Sequence, residues 1–375
     1  MMSDLENKYN TKVKHLILGT VALEHKATFG DFANHYPDAT VWLQPGQWSF
    51  PLNVTPEFLG VTQRGPRLRE IPNVKTSAGS DGGSGSGSGS SGADMANNVN
   101  SISPQYRYYA KKNPIPEWAT DIDWETLGPL QFKSVGAFSE TAMFHKPSKT
   151  LLVTDTVVSV TKEPPAIIQE DPRAMLFHAR DSIEDIVVDT PAVRSKGWRR
   201  MVQFGLVFFP SQIEVVPTFK AISQAKNIDK GMKPLGEGAV PFSLYPWTWH
   251  GEDADLMNFE KISNNGKIFC PPILTKLILD REPQKTLAWA EQVATRFDFV
   301  RIIPGHLNND VKATPDDFRK AFEVLGNGSK GQRPLAEDLA LLQKASDLLT
   351  DFGVVTASQV CDGEPARGVG RFASR

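Results

Sequence analysis

The chain alternates short apolar runs of strand length with stretches whose apolar residues recur at helical spacing. Residues 13–19, Val-Lys-His-Leu-Ile-Leu-Gly, predict a strand. A polar loop over 20–26 follows, and then Thr28-Phe-Gly-Asp-Phe-Ala-Asn-His-Tyr36, where Thr28 and Asp31 three residues on predict a capped helix. Residues 39–43, Ala-Thr-Val-Trp-Leu, predict a second strand, and a crossover of this length is what two parallel strands require. Further on, residues 142–145 and 150–154 bracket the turn Lys146-Pro-Ser-Lys149, a hairpin pattern whose second strand runs into Asp155. Near the carboxyl end the alternation repeats. A helix over 283–297 with Pro in its first turn leads to a buried strand over 299–304 and a loop at Gly305-His306. A helix capped by Thr314 and closed by Gly326 comes next. Strand, polar loop and helix in this order predict an α/β sandwich.

Two stretches depart from that rhythm. Residues 77–92 contain only Ser, Gly, Ala and Asp and have nothing to bury, so residues 64–103 are expected to form a disordered surface insertion within one fold. Residues 163–265 are irregular and Pro-rich. Their best helix, 195–209, places Trp198, Met201, Val202 and Leu206 on one side. Core packing is the expected role of that side; an interfacial membrane helix has too little basic charge in Lys196, Arg199 and Arg200. The helix-like run over 4–9 passes straight into the first strand, which reads as mid-domain sequence with a portion upstream. The expected organisation is therefore a first part of the domain at 1–63, the insertion at 64–103, and the remainder at 104–325 with an inserted 163–265 region. A carboxyl-terminal helix and flexible tail occupy 326–375.

Composition narrows the class. Over 375 residues, 40% are hydrophobic and 22% charged, which suits a folded chain with a sizeable core. The 41 basic and 43 acidic residues leave a formal charge of -2, removing the electrostatic attraction that carries most nucleic-acid affinity, so no nucleic-acid partner is expected. The apolar run Val-Gln-Phe-Gly-Leu-Val-Phe-Phe-Pro at 202–210 is far short of the roughly 20 residues a transmembrane helix needs. Cys270 and Cys361 are too few for a disulfide framework and fit the thiols of a reducing, intracellular compartment. The first residues show neither a signal peptide nor a transit peptide.

Three loops that begin where an apolar strand stops present groups that ligate metals: Glu24-His25, Asp155 and His306. Ligands of open α/β sheets bind outside the carboxyl ends of strands, so loops distant in sequence are expected to converge there. Two imidazoles and two carboxylates suit zinc, iron(II) or manganese(II) better than calcium, magnesium or copper(I). Blander roles stand beside these. Glu24 fits a salt bridge to Lys26 or a cap for the Thr28 helix, and Asp155 fits an acceptor for backbone N–H groups at a strand end. Glu140 is either a further ligand or a surface acid. His15 and His35 read as partly buried or surface histidines, His145 as a cap of its turn, and His178 and His250 have no partner visible in sequence. The aromatic loop at 45–51 reads as a packing wedge.

The segment Thr-Val-Ala-Leu-Glu-His-Lys-Ala-Thr-Phe-Gly-Asp-Phe resembles the part of metallo-β-lactamase-fold hydrolases that carries their HxHxDH motif. The strand Leu-Leu-Val-Thr-Asp-Thr-Val resembles the one delivering their bridging aspartate, and Ile-Ile-Pro-Gly-His-Leu-Asn resembles their final Pro-Gly-His. On that motif Thr20 and Ala22 stand where the first two histidines belong, Glu24 replaces the aspartate, and His25 is retained. No histidine falls near Gly136-Ala137-Phe138. The second-metal half of the site survives and the first-metal half is lost. The order of ALEHK, VWLQPGQWSFPL, FHKPSKTLLVTD and Glu163-Pro-Pro is more closely similar to an uncharacterised family from photosynthetic organisms, a domain of unknown function. The resemblance implies a degenerate metallo-β-lactamase-like αββα sandwich lacking its first strands, and a plastid location.

These readings combine into a metal-dependent hydrolase-like protein acting on a small molecule. One divalent ion is expected on His25, Asp155 and His306, with Glu24 as general base. If Glu24 also ligates, four groups close a tetrahedral site and the domain is a non-catalytic binding or structural one. A non-haem iron oxygenase also matches two histidines and a carboxylate, and ranks third because its usual scaffold is a β-barrel.

Overall fold

The computed structural model describes residues 2–47, 50, 55–72, 116–227, 245–251, 253–326 and 336–360. They form a mixed α/β protein with no barrel. The chain divides into two compact units, Met1–Ser148 and Lys149–Arg375.

In the first unit, α1 (Met2–Tyr9) leads to β1 (His15–Leu18), α2 (Leu23–His35) and β2 (Thr40–Leu43). β1 and β2 pair in parallel with Leu18 opposite Leu43, so the crossover read from the apolar pattern forms. Phe29 and Ala33 of α2 pack with Leu18, Val41, Leu43, Val61 and Leu68 in one cluster. Full burial of each larger side chain contributes about 1.5–3 kcal/mol, which holds the helix on the sheet. α2 begins earlier than the Thr28 signal predicts. Its N-cap is Ala22, with no side-chain cap, and the Thr28 hydroxyl donates instead to the His25 carbonyl 3.5 Å away. A hydroxyl used for bonding back along the helix cannot cap it.

The expected insertion at 64–103 also starts too early. Leu68–Glu70 is a third parallel strand, β3, with Leu68 opposite Val41 and buried in the same cluster. A three-residue strand with one apolar anchor leaves no periodicity to read. Residues 73–103 of that expectation lie outside the described residues. The unit continues with β4 (Ile122–Gln131) and β5 (Ala137–His145), antiparallel, with a register shift between Leu127 and Leu130.

In the second unit, β6 (Thr150–Val153) pairs in parallel with β9 (Arg301–Pro304), and β10 (Val311–Lys312) runs antiparallel on β9. β7 (Ile213–Val215) and β8 (Trp247–Trp249) make a separate ribbon. Helix α3 (Arg173–His178) packs on α4 (Pro191–Val207) so closely that a Cβ on Gly197 would meet the Met175 carbonyl oxygen at 1.9 Å. α4 starts before the predicted 195 because Thr190 caps it, accepting from the Val193 N–H, and Pro191 opens its first turn. Trp198, Val202 and Leu206 are buried with Met175, Phe259 and Leu342, the core role read from their spacing. The unit also holds α5 (Ala254–Ile262), α6 (Pro272–Leu277), α7 (Pro283–Arg296), α8 (Pro315–Ala321) and α9 (Ala336–Asp351). Thr314 and Asp317 form a capping box at α8. Among the described residues no helix is long and apolar enough to cross a membrane.

Candidate metal centre

Asp155 and His306 owe their proximity to strand register. β6 and β9 are parallel neighbours with Val153 opposite Pro304, and each ligating residue stands two positions further on. Parallel strands run about 4.8 Å apart, so equal offsets from paired residues bring the two side chains together. The ladder continues past the strands through the Gly305 N–H, which donates to the Thr154 carbonyl at 3.1 Å. A Cβ on Gly305 would lie 3.0 Å from that oxygen, so this approach favours glycine. Leu307 then adopts φ 63°, and the Asn308 N–H donates to the Ser159 carbonyl at 3.1 Å, fixing the turn that presents His306. His306 Nε2 lies 2.9 Å from Asp155 Oδ1. An ionised carboxylate only accepts, so the imidazole donates. Asp155 is buried and His306 exposed, which leaves the pair open on the histidine side.

Glu24 and His25 reach their places by another route. Beyond β1 the chain is tied to β5: the Val21 N–H donates to the Ser139 carbonyl at 3.1 Å, and the Thr141 N–H to the Gly19 carbonyl at 2.7 Å. Thr20 is fully buried, its hydroxyl accepting from the Ala22 N–H at 3.2 Å. At the two positions where the metallo-β-lactamase motif has its first histidines, this chain therefore places a buried hydroxyl in a backbone bond and a buried alanine. α2 starts at once, and Glu24 lies in its first turn, where the helix dipole favours a carboxylate. Lys26, two residues on, is buried and not a salt-bridge partner at the surface. Its amine donates to the carbonyls of Gln47, at 2.7 Å, and Phe50. Burial pushes its pKa down to about 8, partly opposed by the charge of Glu24.

Glu24 and His25 belong to the first unit and Asp155 and His306 to the second, and each of the four offers a ligand atom of a kind that suits a divalent ion. Glu140 is not in this group. It is fully buried in β5, bridged through its backbone to Thr20, which excludes the surface-acid reading.

The remaining histidines find structural partners. His15 accepts from Trp42 Nε1 at 3.2 Å, His145 bonds Ser148 across its turn at 2.6 Å, and His250 pairs with Glu214 at 2.9 Å. His35 meets the neighbouring Tyr36 ring edge to face. His178 stacks on Trp247, and burial pushes its pKa down to about 4, keeping it neutral. Phe50, in the aromatic loop, packs against Phe132 and Phe138 as a wedge does. Sequence reasoning gave Lys26 only a salt bridge to Glu24, missing its buried bonds to the Gln47 and Phe50 carbonyls, and missed the Ser159–Asn308 clasp. The only available signal was a lysine inside an otherwise apolar helix face, and the clasp left none.

Neither curated proteins nor solved structures give a match to this chain. Residues 1–324 match the model of a family described as Domain of unknown function (DUF4336), and the protein belongs to that family.

Proposed function

We propose that the protein is a metal-dependent hydrolase of small molecules with a mononuclear site on His25, Asp155 and His306, and Glu24 as its general base. The observation that carries this reading is the pair of parallel strand ends that sets His306 Nε2 2.9 Å from Asp155 Oδ1 on an open side, while Glu24 and His25 supply the further donors of the proposed site. A divalent ion at such a site supplies Lewis acidity, lowering the pKa of water and polarising a substrate oxygen. The rest falls to the chain's own groups. Asp155 and His306 would hold the ion through the carboxylate oxygen and the ring nitrogen that now share a hydrogen bond, the imidazole then carrying its one proton on Nδ1. Glu24, exposed in the first turn of α2, takes a proton from water and returns it to the leaving group. Zinc, iron(II) and manganese(II) suit the donor set.

The finer fold in this reading is a degenerate metallo-β-lactamase-like αββα sandwich. The β1–α2–β2 crossover and the paired strand ends at Asp155 and His306 support it. A plastid location rests on the resemblance to a family of photosynthetic organisms and is checked by organelle fractionation. The non-catalytic alternative takes Glu24, a carboxylate next to His25, as a fourth ligand that closes a structural site.

Glu24→Gln separates the two. As a base, its loss leaves metal content and melting temperature near wild type while hydrolysis in an ester, thioester and phosphodiester screen falls at least about a hundredfold. Loss of metal together with stability, and no turnover in either protein, overturns the enzyme reading.

A further inference from the structure

The second unit contains a cavity of about 780 Å³ whose lining includes none of the four metal-site residues. That volume falls within the roughly 300–1,000 Å³ of small-molecule sites. Its inner surface is mostly apolar, with Thr275 and Gln343 among the polar groups. Ile268, Val311, Ala313 and Ala321 are buried there, with Phe269 and Leu339 partly buried beside them. Five lysines also line it: Lys261, Lys267, Lys312 and Lys320 are exposed, and Lys276 is partly buried. Long lysine stems can cover apolar walls while their ammonium groups stay in water, which sets a cationic rim over an apolar floor.

The acidic groups of the lining do not cancel this rim. There are three, Asp280, Asp317 and Glu323. Asp280 is buried 3.2 Å from Arg281 Nε. Asp317 accepts from the Thr314 N–H at 2.9 Å and from its hydroxyl at 2.7 Å, bonds that hold its carboxyl below the usual range. The Asp317 charge also feels Lys320 and Lys267, and Glu323 opposes the lysines from an exposed position, so two carboxylates offset part of a rim of five lysines and leave it positive. A chain with formal charge -2 thus gathers a local positive excess at the mouth of its apolar cavity.

We propose that this cavity binds an amphipathic organic anion, a medium-length alkyl or acyl chain ending in a carboxylate or phosphate. The apolar body leaves water against the floor, and the head stays at the hydrated rim without full desolvation. A nucleotide is a poorer match, because Phe269 is the one aromatic ring in the lining and offers little surface for base stacking. A cationic amphiphile meets the lysines with like charge.

Calorimetric titration of the full chain with decanoate, decyl phosphate, decanol and decyltrimethylammonium, all below micelle formation, tests the assignment. One anion per chain is expected, with affinity falling as salt is raised. Binding of decanoate alone identifies a carboxylate head, and binding of decyl phosphate alone a phosphate head. Lys267→Glu combined with Lys312→Glu should weaken the anion at least about tenfold. Ala340→Trp, placed at an exposed lining position of α9, should block the cavity while leaving the melting temperature unchanged. The proposal is overturned if neither anion binds by about 1 mM, a dissociation constant too weak for a built site. It is also overturned if decanol or the cation binds as tightly, or if both variants bind as wild type does. Should a variant fail to fold, the four-ligand comparison on the wild-type chain still decides.

Discussion

The two halves of the ligand set are delivered by different mechanics. Asp155 and His306 follow their strands by two residues each, and parallel register between β6 and β9 does the rest. Glu24 and His25 come six and seven residues after Leu18, at the start of a helix whose entry is tied to β5 by backbone bonds and whose first turn is pinned by the buried amine of Lys26. A position set by register tolerates change in its surroundings. A position set by a loop and a helix start depends on everything that seats the helix. Damage remote from the ligands should therefore reach Glu24 and His25 more readily than Asp155 and His306.

Gly30→Ala strikes the more dependent half hardest. An alanine inside a helix normally stabilises it by about 1 kcal/mol relative to glycine. Here a Cβ would lie 2.0 Å from the Leu59 carbonyl oxygen and 3.0 Å from Gly60 Cα, so α2 must move. A net loss of about 3 kcal/mol is expected in denaturant unfolding, with metal affinity reduced along with it. Unchanged stability would mean that the seat of α2 is soft.

Gly305→Ala makes the matching change beside His306. Its Cβ meets the Thr154 oxygen at 3.0 Å, a milder conflict that a small shift relieves. A loss of about 1 kcal/mol is expected, measured by thermal unfolding, and metal affinity should fall less than in the α2 variant. The reverse order of the two variants would break the comparison.

The smallest effect is a pH signature confined to the first unit. Burial pushes the Glu70 carboxyl of β3 up to about 7 from an ordinary value near 4.5. Between those values the folded chain holds more protons than the unfolded one, so this group's contribution to stability falls as pH rises and is fully unfavourable above about 7. Glu70→Gln should match wild type near pH 4.5 and exceed it by of order 2 kcal/mol at pH 8 in urea unfolding. A gain that is the same at both values would assign the effect to packing.

The legible features were those that local rules determine. The apolar run at 13–19, the crossover to Thr40–Leu43, the Thr314 cap and the strand ends before Asp155 and His306 each have a signal within a few residues. The start of α2 was misplaced because Thr28 carries the chemistry of a cap and spends it on the His25 carbonyl, while the actual cap, Ala22, has no such chemistry. β4 was unread because Gly128-Pro129 inside it looks like a turn, and the ladder absorbs it through a register shift. Lys26 was read as a surface partner of Glu24, since only the tertiary fold brings the Gln47 and Phe50 carbonyls to its amine. The ligand types were readable for the same reason that their joint geometry was not: chemistry belongs to residues, and convergence belongs to the fold.

Metal titration of the wild-type chain beside His25→Ala and His306→Ala, followed by elemental analysis, tests the shared site most directly. The account predicts one divalent ion per wild-type chain and at least about tenfold weaker binding in both variants, since each removes a ligand of the same ion. A metal-free wild type, or an ion lost on removing one histidine and retained on removing the other, would contradict it.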